Sequence, residues 1–569
     1  MKEKILNKPD LKKAIQRDSS VSPIIYVEDN RSQKLLDFAK DKKYYIHTYG
    51  CQANVRDEES MRGMLESIGL TKTENREEAD VILLNTCAVR ENAEDKLYGE
   101  IGNLKGYMEK HKDAVLGICG CVPEEPEILE RILKTFPYVN LVFGTHEVYR
   151  LLEFLEEVIS SKKRLIAVES KSGEVYEGLP VIRTSKYKAF VNIIYGCNKF
   201  CTYCIVPYTR GKERSRKFSD ILKECQELID DGYQEITLLG QNVNAYGKDL
   251  DEGKDFADLL EAVAKLGIPR LRFTTSHPWD FTSKMIDVIA KYDNVMNFIH
   301  LPVQSGNDNV LKKMGRRYTS SDYLKLVKEM KEKIPGLGLS TDIIVGFPNE
   351  SDEEFNDTLK LVDEVEYDSA FTFIYSPRKG TPAARMEDTI SKETKGKRFK
   401  ELVSHLEKSI SASSERMVGQ VYDVLVDGVS KNNEDMYSGY TESNKLVHFK
   451  GDESMVGKII KVKITESHTY SLIGEVISDD PIIQKAKELK ECLKNEPVLE
   501  EYLRIKAIFE VDESLKELRQ KIAESKAKNE KDEYDRLKQM YDNHPLVINY
   551  YKAKEEAMEL LKGLHDIIQ

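Results

Sequence analysis

Cys197-Asn198-Lys199-Phe200-Cys201-Thr202-Tyr203-Cys204 is the stretch on which the reading of this chain turns. Its C-x3-C-x2-C spacing lets one short loop offer three thiolates to three corners of a four-iron cluster. The fourth iron then has no protein thiolate and is open to chelation by a small molecule. Ferredoxin runs use four cysteines and close every corner. The spacing therefore points to chemistry rather than electron storage. A zinc knuckle is the competing use of closely spaced cysteines. Zinc motifs pair C-x2-C with a second ligand pair downstream, and no His or Cys pair follows here at suitable spacing.

The rest of the chain bounds that reading. At 569 residues, 40% of them hydrophobic, it has room for several domains with their own cores. No apolar run approaches the ~18 residues that span a bilayer. The start, Met1-Lys2-Glu3-Lys4-Ile5-Leu6, lacks a signal peptide's apolar core. The expected location is cytoplasmic, with no membrane partner. Nine cysteines in a reducing compartment read as ligands or free thiols. Cys225 and Cys492 lie apart from the other groups in helix-like segments and read as packing residues.

Net charge is −12, which argues against indiscriminate nucleic-acid binding but not against a local basic groove. Between Val181 and Asp220 stand nine Lys/Arg against Glu213 and Asp220, a local excess of +7. Lys312, Lys313, Arg316 and Arg317 form a second cluster. Such runs are usually solvated, but their place beside a cofactor loop suggests phosphate contact.

The flanks of the cysteine loop narrow the match. Tyr195-Gly196 precedes it, and Ile205-Val206-Pro207-Tyr208-Thr209-Arg210-Gly211-Lys212-Glu213-Arg214-Ser215-Arg216 follows. This stretch resembles the radical S-adenosylmethionine (SAM) enzymes, and within them the MiaB-type tRNA methylthiotransferases. The resemblance covers about positions 44 to 478.

The segment 44–161 alternates strand and helix patterns, which predicts a doubly wound α/β domain with a parallel sheet. Three predicted strands end in cysteine: Tyr44 to Tyr49 at Cys51, Val81 to Thr86 at Cys87, and Ala114 to Ile118 at Cys119 and Cys121. Open α/β sheets bind ligands at the carboxyl ends of their strands. Cys51, Cys87 and either Cys119 or Cys121 are therefore expected to converge. Strand alternation puts Cys119 and Cys121 on the same side and does not choose between them. The resemblance does: Cys121 matches the family's third ligand position. The bland alternative is three unrelated core cysteines.

Residues 1–43 are polar and aperiodic and read as an extension, partly ordered at best. A linker is expected over 162–180. From 181 to 412 six strand candidates alternate with helices, starting at Ala189, Glu235, Arg270, Phe298, Gly338 and Ser369. This fits an incomplete TIM-like (β/α)6 barrel, as in radical SAM enzymes, with its site at the strands' C-terminal ends. Short strands at 421–426, 446–449 and 459–464 suggest a small β-barrel over 415–478. It resembles the RNA-holding TRAM domain, although 415–476 carries seven Lys/Arg against ten Asp/Glu. From 481 to 569 there is one glycine, 17 Lys/Arg and 19 Asp/Glu. Apolar residues recur there at helical spacing, as in Leu515, Leu518 and Ile522. This predicts a helical bundle resembling the YlbF/YmcA family, a candidate module for a protein partner.

The resemblance implies two 4Fe-4S clusters. One sits on Cys197, Cys201 and Cys204 and chelates SAM; the other sits on Cys51, Cys87 and Cys121 and supplies sulfur. Reductive SAM cleavage gives a 5′-deoxyadenosyl radical. Candidate SAM contacts are Gln241, Asn242, Ser276, His277, Gln304 with Ser305, and Asp342 as a ribose hydroxyl acceptor. Capping of a strand end or loop is the competing role for each, and His277 before Pro278 can anchor a turn. The implied substrate is N6-isopentenyladenosine beside the tRNA anticodon, whose C2–H is replaced by a methylthio group. A flavodoxin- or ferredoxin-like protein is the implied electron donor. Related enzymes methylthiolate threonylcarbamoyladenosine in tRNA or an aspartate of a ribosomal protein. Thr275-Ser276-His277-Pro278 and Tyr375-Ser376-Pro377-Arg378 favour the MiaB type. A non-catalytic iron–sulfur RNA-binding regulator is the alternative of another class; the open iron position weighs against it.

Overall fold

The apolar runs Val81-Ile82-Leu83-Leu84 and Val115-Leu116-Gly117-Ile118 suit strands covered on both faces. In the computed structural model they lie at the centre of one seven-stranded parallel sheet, buried along their whole length. The structure describes residues 3–568 apart from 18–20, 29–30, 89–90, 171–173, 432, 478–484, 486–487, 490–491, 494 and 529. The chain divides into two compact units, 1–476 and 477–569.

The first unit begins with nine strands: β1 (Glu3–Asn7), β2 (Ile24–Tyr26), β3 (Lys43–Tyr49), β4 (Thr71–Lys72), β5 (Val81–Thr86), β6 (Val115–Gly120), β7 (Leu141–Phe143), β8 (Arg164–Ala167) and β9 (Val175–Glu177). The large sheet has the order β1-β8-β7-β6-β5-β3-β4. Its two faces carry separate cores. Leu83, Cys119 and Met61 pack on one face, and Ile82, Leu84 and Ile118 on the other.

Residues 1–43 depart from the expected extension. β1 adds to β8 as the sheet's edge strand, and β2 pairs with β9. Both partners come from 162–180, expected to be a linker. An edge strand is paired on one side only and needs just a few residues, so it leaves no readable alternation in a polar segment.

The second part of this unit contains β10 (Lys188–Asn192), β11 (Ile194–Tyr195), β12 (Arg214–Ser215), β13 (Glu235–Leu239), β14 (Arg270–Phe273), β15 (Phe298–His300), β16 (Gly338–Val345) and β17 (Ser369–Ile374). Parallel pairing runs β10-β13-β14 and β15-β16-β17. Backbone bonds from Leu271 to Asn294 (2.7 Å) and from Met296 to Leu271 (2.9 Å) join the two halves. The result is the expected six-stranded partial barrel. Among the described residues β10 and β17 pair with no further barrel strand, so the barrel is open there. Reciprocal capping boxes start the helices at Ser320 and Asp352, each cap contributing about 1 kcal/mol.

Five strands then close a small barrel: β18 (Val421–Ser430), β19 (Asn433–Tyr440), β20 (Leu446–Phe449), β21 (Ile459–Ser467) and β22 (Leu472–Val476). Its core is Val424, Val426, Val447, Phe449, Val462, Ile464 and Leu472. It seats on the N-terminal ends of the barrel strands. Arg270 donates at 2.8 Å to the Tyr440 carbonyl, Arg272 at 2.8 Å to that of Thr441, and Tyr187 at 2.6 Å to that of Asp427. The opposite end of the large barrel is left to the cysteine loop.

The second unit holds helices Pro497–Val511, Glu513–Ala527, Lys531–Asp542 and Pro545–Ile568 around Phe509, Leu515 and Val547. Its expected start at Pro481 lies outside the described residues. Among the described residues no helix is long and apolar enough to cross a membrane.

Candidate functional site

The antiparallel pair β11–β12 closes the cysteine loop at its base. Gly196 turns the chain into the loop at φ +72°, where a Cβ would lie 2.0 Å from the Lys212 carbonyl oxygen. Phe200, at φ +51°, curls the loop between the first two cysteines. Thr202 ties it to the barrel by donating to Met314 (2.9 Å) and Lys313 (2.8 Å) carbonyls. Burial and the neighbouring cysteine sulfurs push the Cys197 and Cys204 thiols up, Cys204 to about 12. Loading a cluster would therefore release protons from Cys197 and Cys204.

A buried arginine, missed in the sequence reading, faces this loop. Arg316 donates from Nη1 to Cys201 Sγ at 3.5 Å and from Nη2 to the Pro302 carbonyl at 2.6 Å. Its cation is suited to the net negative charge of three thiolates on iron. Arginine is seldom fully buried without a partner, so only the chemistry of the loop could have singled it out from its basic cluster.

Of the predicted SAM contacts, Gln241 and Asn242 are tied to the same loop. Gln241 Oε1 accepts from the Gly196 amide at 2.5 Å. Asn242 donates at 2.7 Å to Asp280, which also pairs with Lys199 of the loop at 2.6 Å. Asn242 Oδ1 and Ser276 Oγ are buried without a hydrogen-bond partner. Two orphaned polar atoms beside an iron-binding loop suit a polar small molecule such as SAM. His277 starts the turn Pro278–Asp280, its Nδ1 accepting from the Trp279 amide at 3.3 Å. Burial, reinforced by Arg316, lowers its pKa to about 2, which keeps the ring neutral. Gln304, at φ +71°, binds β16 through the Asp342 carbonyl at 2.8 Å, and Ser305 Oγ meets Thr358 at 3.3 Å. Asp342 Oδ1 lies 3.5 Å from His300 Nε2. His300 was not among the predicted contacts.

The three strand-end cysteines of the first domain meet at the sheet's carboxyl edge. Cys51 caps the helix Gln52–Ser67. The Cys87 thiol, by hydrogen bonding to it, brings Cys51 down to about 5, with help from Arg210 and the first helix amides. Cys121 also hydrogen-bonds Arg210. The structure places Cys119 and Cys121 differently. Gly120, at φ +92°, breaks the strand alternation. Cys119 stays in the core, its sulfur 3.8 Å from Met61 Sδ. Cys121 swings to the edge with Cys51. Among the described residues no three His, Cys, Asp or Glu side chains converge on a single ion. A four-iron cluster spreads its thiolates over separate irons and has no need of such convergence.

Arg210 links the two cysteine groups. It leaves the segment that follows Cys204, is buried, and pairs with Asp57 at 2.8 Å. The basic run around it does not form the solvated phosphate-binding surface suggested by its charge. Arg216 pairs with Glu177 (2.5 Å) and Glu224 (2.6 Å), and Arg183 with Glu59 (3.2 Å). Buried cations need such partners, and their acids come from distant segments, so the local excess of +7 is largely spent inside the fold. A cavity of about 630 Å³ lies among these charges and includes Asp57, His146, Tyr195 and Arg214.

Residues 43–144 match the uncharacterized protein family UPF0004, 191–362 the radical SAM superfamily, 415–477 the TRAM domain, and 477–569 the control of competence regulator ComK, YlbF/YmcA family. A Geobacillus kaustophilus tRNA-2-methylthio-N(6)-dimethylallyladenosine synthase is 50% identical over 473 residues, covering 83% of this chain and 89% of that protein. The Bacillus subtilis enzyme of the same name is 50% identical, at 83% and 92% coverage. That of Staphylococcus epidermidis is 50% identical over 484 residues, at 84% and 93%. Among solved structures, the radical SAM methyltransferase TsrM of Kitasatospora setae is 14% identical, with a TM-score of 0.46 over 60% of this chain and 74% of its own. The chain belongs to the tRNA-2-methylthio-N6-dimethylallyladenosine synthase family of radical SAM methylthiotransferases.

Proposed function

We propose that this chain replaces the C2 hydrogen of N6-isopentenyladenosine, next to the tRNA anticodon, by a methylthio group. The relatives' shared activity carries the reaction class. The single structural observation that supports it is the pairing of two cysteine trios, each faced by one buried arginine, within one compact unit.

Cys197, Cys201 and Cys204 would hold the cluster that binds SAM, and Cys51, Cys87 and Cys121 the second cluster. When bound, these groups supply hydrogen abstraction from an unreactive carbon and the sulfur and methyl for transfer. The chain's own residues provide position and charge. Arg316 holds Cys201 and neutralises the loop. Gln241 fixes the entry to the loop through the Gly196 amide. Asn242 and Ser276 offer their free polar atoms to SAM, and Asp342 an acceptor on the barrel's inner face. Arg210 carries positive charge to Cys51 and Cys121. The adenine must leave its stack to reach the barrel mouth, at about a few kcal/mol, and an unpaired anticodon loop lowers that cost.

The substrate places the reaction in the cytoplasm. A flavodoxin- or ferredoxin-like donor would supply the electron, and the helical unit would serve a protein partner. The test is anaerobic reconstitution with iron and sulfide, followed by SAM, reductant and tRNA. Nucleoside mass spectrometry should find the methylthio product from tRNA bearing N6-isopentenyladenosine. Product only from tRNA bearing threonylcarbamoyladenosine would overturn the substrate.

A further inference from the structure

Trp279 is the only tryptophan in the chain, and 43% of it is exposed. It lies at the mouth of the barrel, in the turn after β14 that His277 caps. Two cations rest on its ring: Lys199 Nζ at 4.7 Å and Arg317 at 4.8 Å from the centroid. A second ring stands on the cysteine loop itself. Phe200 is 37% exposed, and the Arg17 guanidinium lies 4.6 Å from its centroid. Arg17 also donates to Asn198 Oδ1 at 2.8 Å, which fixes it beside the loop.

Two exposed rings with cations on them, beside one cofactor loop, make a surface suited to a flat, charged occupant. Apolar contact with a protein would not call for cations on the rings. Unpaired nucleotides suit both features: each base has a π face to stack on an aromatic ring, and each phosphate a charge for Lys or Arg. Asp280, which follows Trp279 in sequence, is already held by Lys199 and Lys248, each at 2.6 Å, so it does not repel a phosphate strongly.

We propose that Trp279 and Phe200 form a base-stacking platform for unpaired anticodon-loop nucleotides flanking the adenosine that enters the barrel. The proposal rests on the tRNA reading above and adds to it the residues that hold the loop. Stacking of this kind is tolerant of base identity. The platform therefore contributes affinity and placement, while the barrel interior selects the modified base.

Because Trp279 is the sole tryptophan, its emission reports on this position alone. Titrating the reconstituted full chain with tRNA bearing N6-isopentenyladenosine should change that emission saturably. Trp279→Ala should raise the Kd for labelled tRNA by roughly tenfold, and Trp279→Phe should restore most of the affinity. A wild-type chain that methylthiolates the tRNA with unchanged tryptophan emission overturns the platform alone. So does a Trp279→Ala chain with wild-type Kd. A wild-type chain that never methylthiolates that tRNA overturns the functional reading itself, and the platform with it.

Discussion

Arg316 reaches Cys201 Sγ at 3.5 Å with one guanidinium nitrogen and the Pro302 carbonyl at 2.6 Å with the other. One buried fork thus couples the cysteine loop to the turn that carries Gln304. The first prediction concerns this coupling. Arg316→Met should leave a buried carbonyl and a thiolate without their donor, at a cost of about 1–3 kcal/mol. Iron retained after anaerobic reconstitution and gel filtration should fall, by up to about half if four of eight irons are lost. Arg316→Lys should lie between, since lysine keeps the charge without the fork. Full iron content in the methionine variant would show that the arginine is dispensable.

Cys119 and Cys121 should separate cleanly. Cys119→Ala removes a sulfur packed in the core on Met61 and should cost about 1 kcal/mol of stability while sparing iron. Cys121→Ala should cost little stability and lose the irons of the first domain. Denaturation midpoints and iron analysis of the two variants check this, and the reverse pattern would make Cys119 the ligand.

Much of this site was legible in the sequence because its elements are local. The loop 197–204 is contiguous, and each of Cys51, Cys87 and Cys121 follows a strand whose apolar run is plain. The separation of Cys121 from Cys119 was not legible from alternation, because it turns on the positive φ of Gly120. Arg210 and Arg316 were counted as ordinary members of basic runs. Their burial depends on partners far along the chain, Asp57 and Cys201. β19 escaped notice for a related reason. Its residues Asn433–Tyr440 are mostly polar, and pairing within a closed barrel rather than an apolar run makes them a strand.

Gly196→Ala should disable the cysteine loop more than a surface glycine change would. The positive φ costs about 1–3 kcal/mol for an alanine, and the added Cβ meets backbone at 2.0 Å. Electron paramagnetic resonance of the reduced, reconstituted variant should lose the response to added SAM, while the signal of the other cluster persists. An unaltered response to SAM would show that the loop tolerates the change.

A chain stopped after Asp479 should keep methylthiolation. The small barrel ends at Val476 with its own core, and the helical unit has a separate one around Phe509, Leu515 and Val547. Turnover of the truncated chain on tRNA, compared with the full chain, measures this. A soluble, iron-replete truncation that binds SAM yet leaves tRNA unmodified would make the helices part of the catalytic machinery.

The division of labour between the two cysteine trios is the central claim, and one experiment reaches it directly. A chain with Cys51, Cys87 and Cys121 all changed to Ala is reconstituted and given SAM, reductant and tRNA bearing N6-isopentenyladenosine. 5′-Deoxyadenosine and the methylthio nucleoside are then measured by mass spectrometry in the same sample. The account predicts 5′-deoxyadenosine without any methylthio product, because the loop at 197–204 remains intact. Methylthio product at the wild-type level from that variant would contradict it.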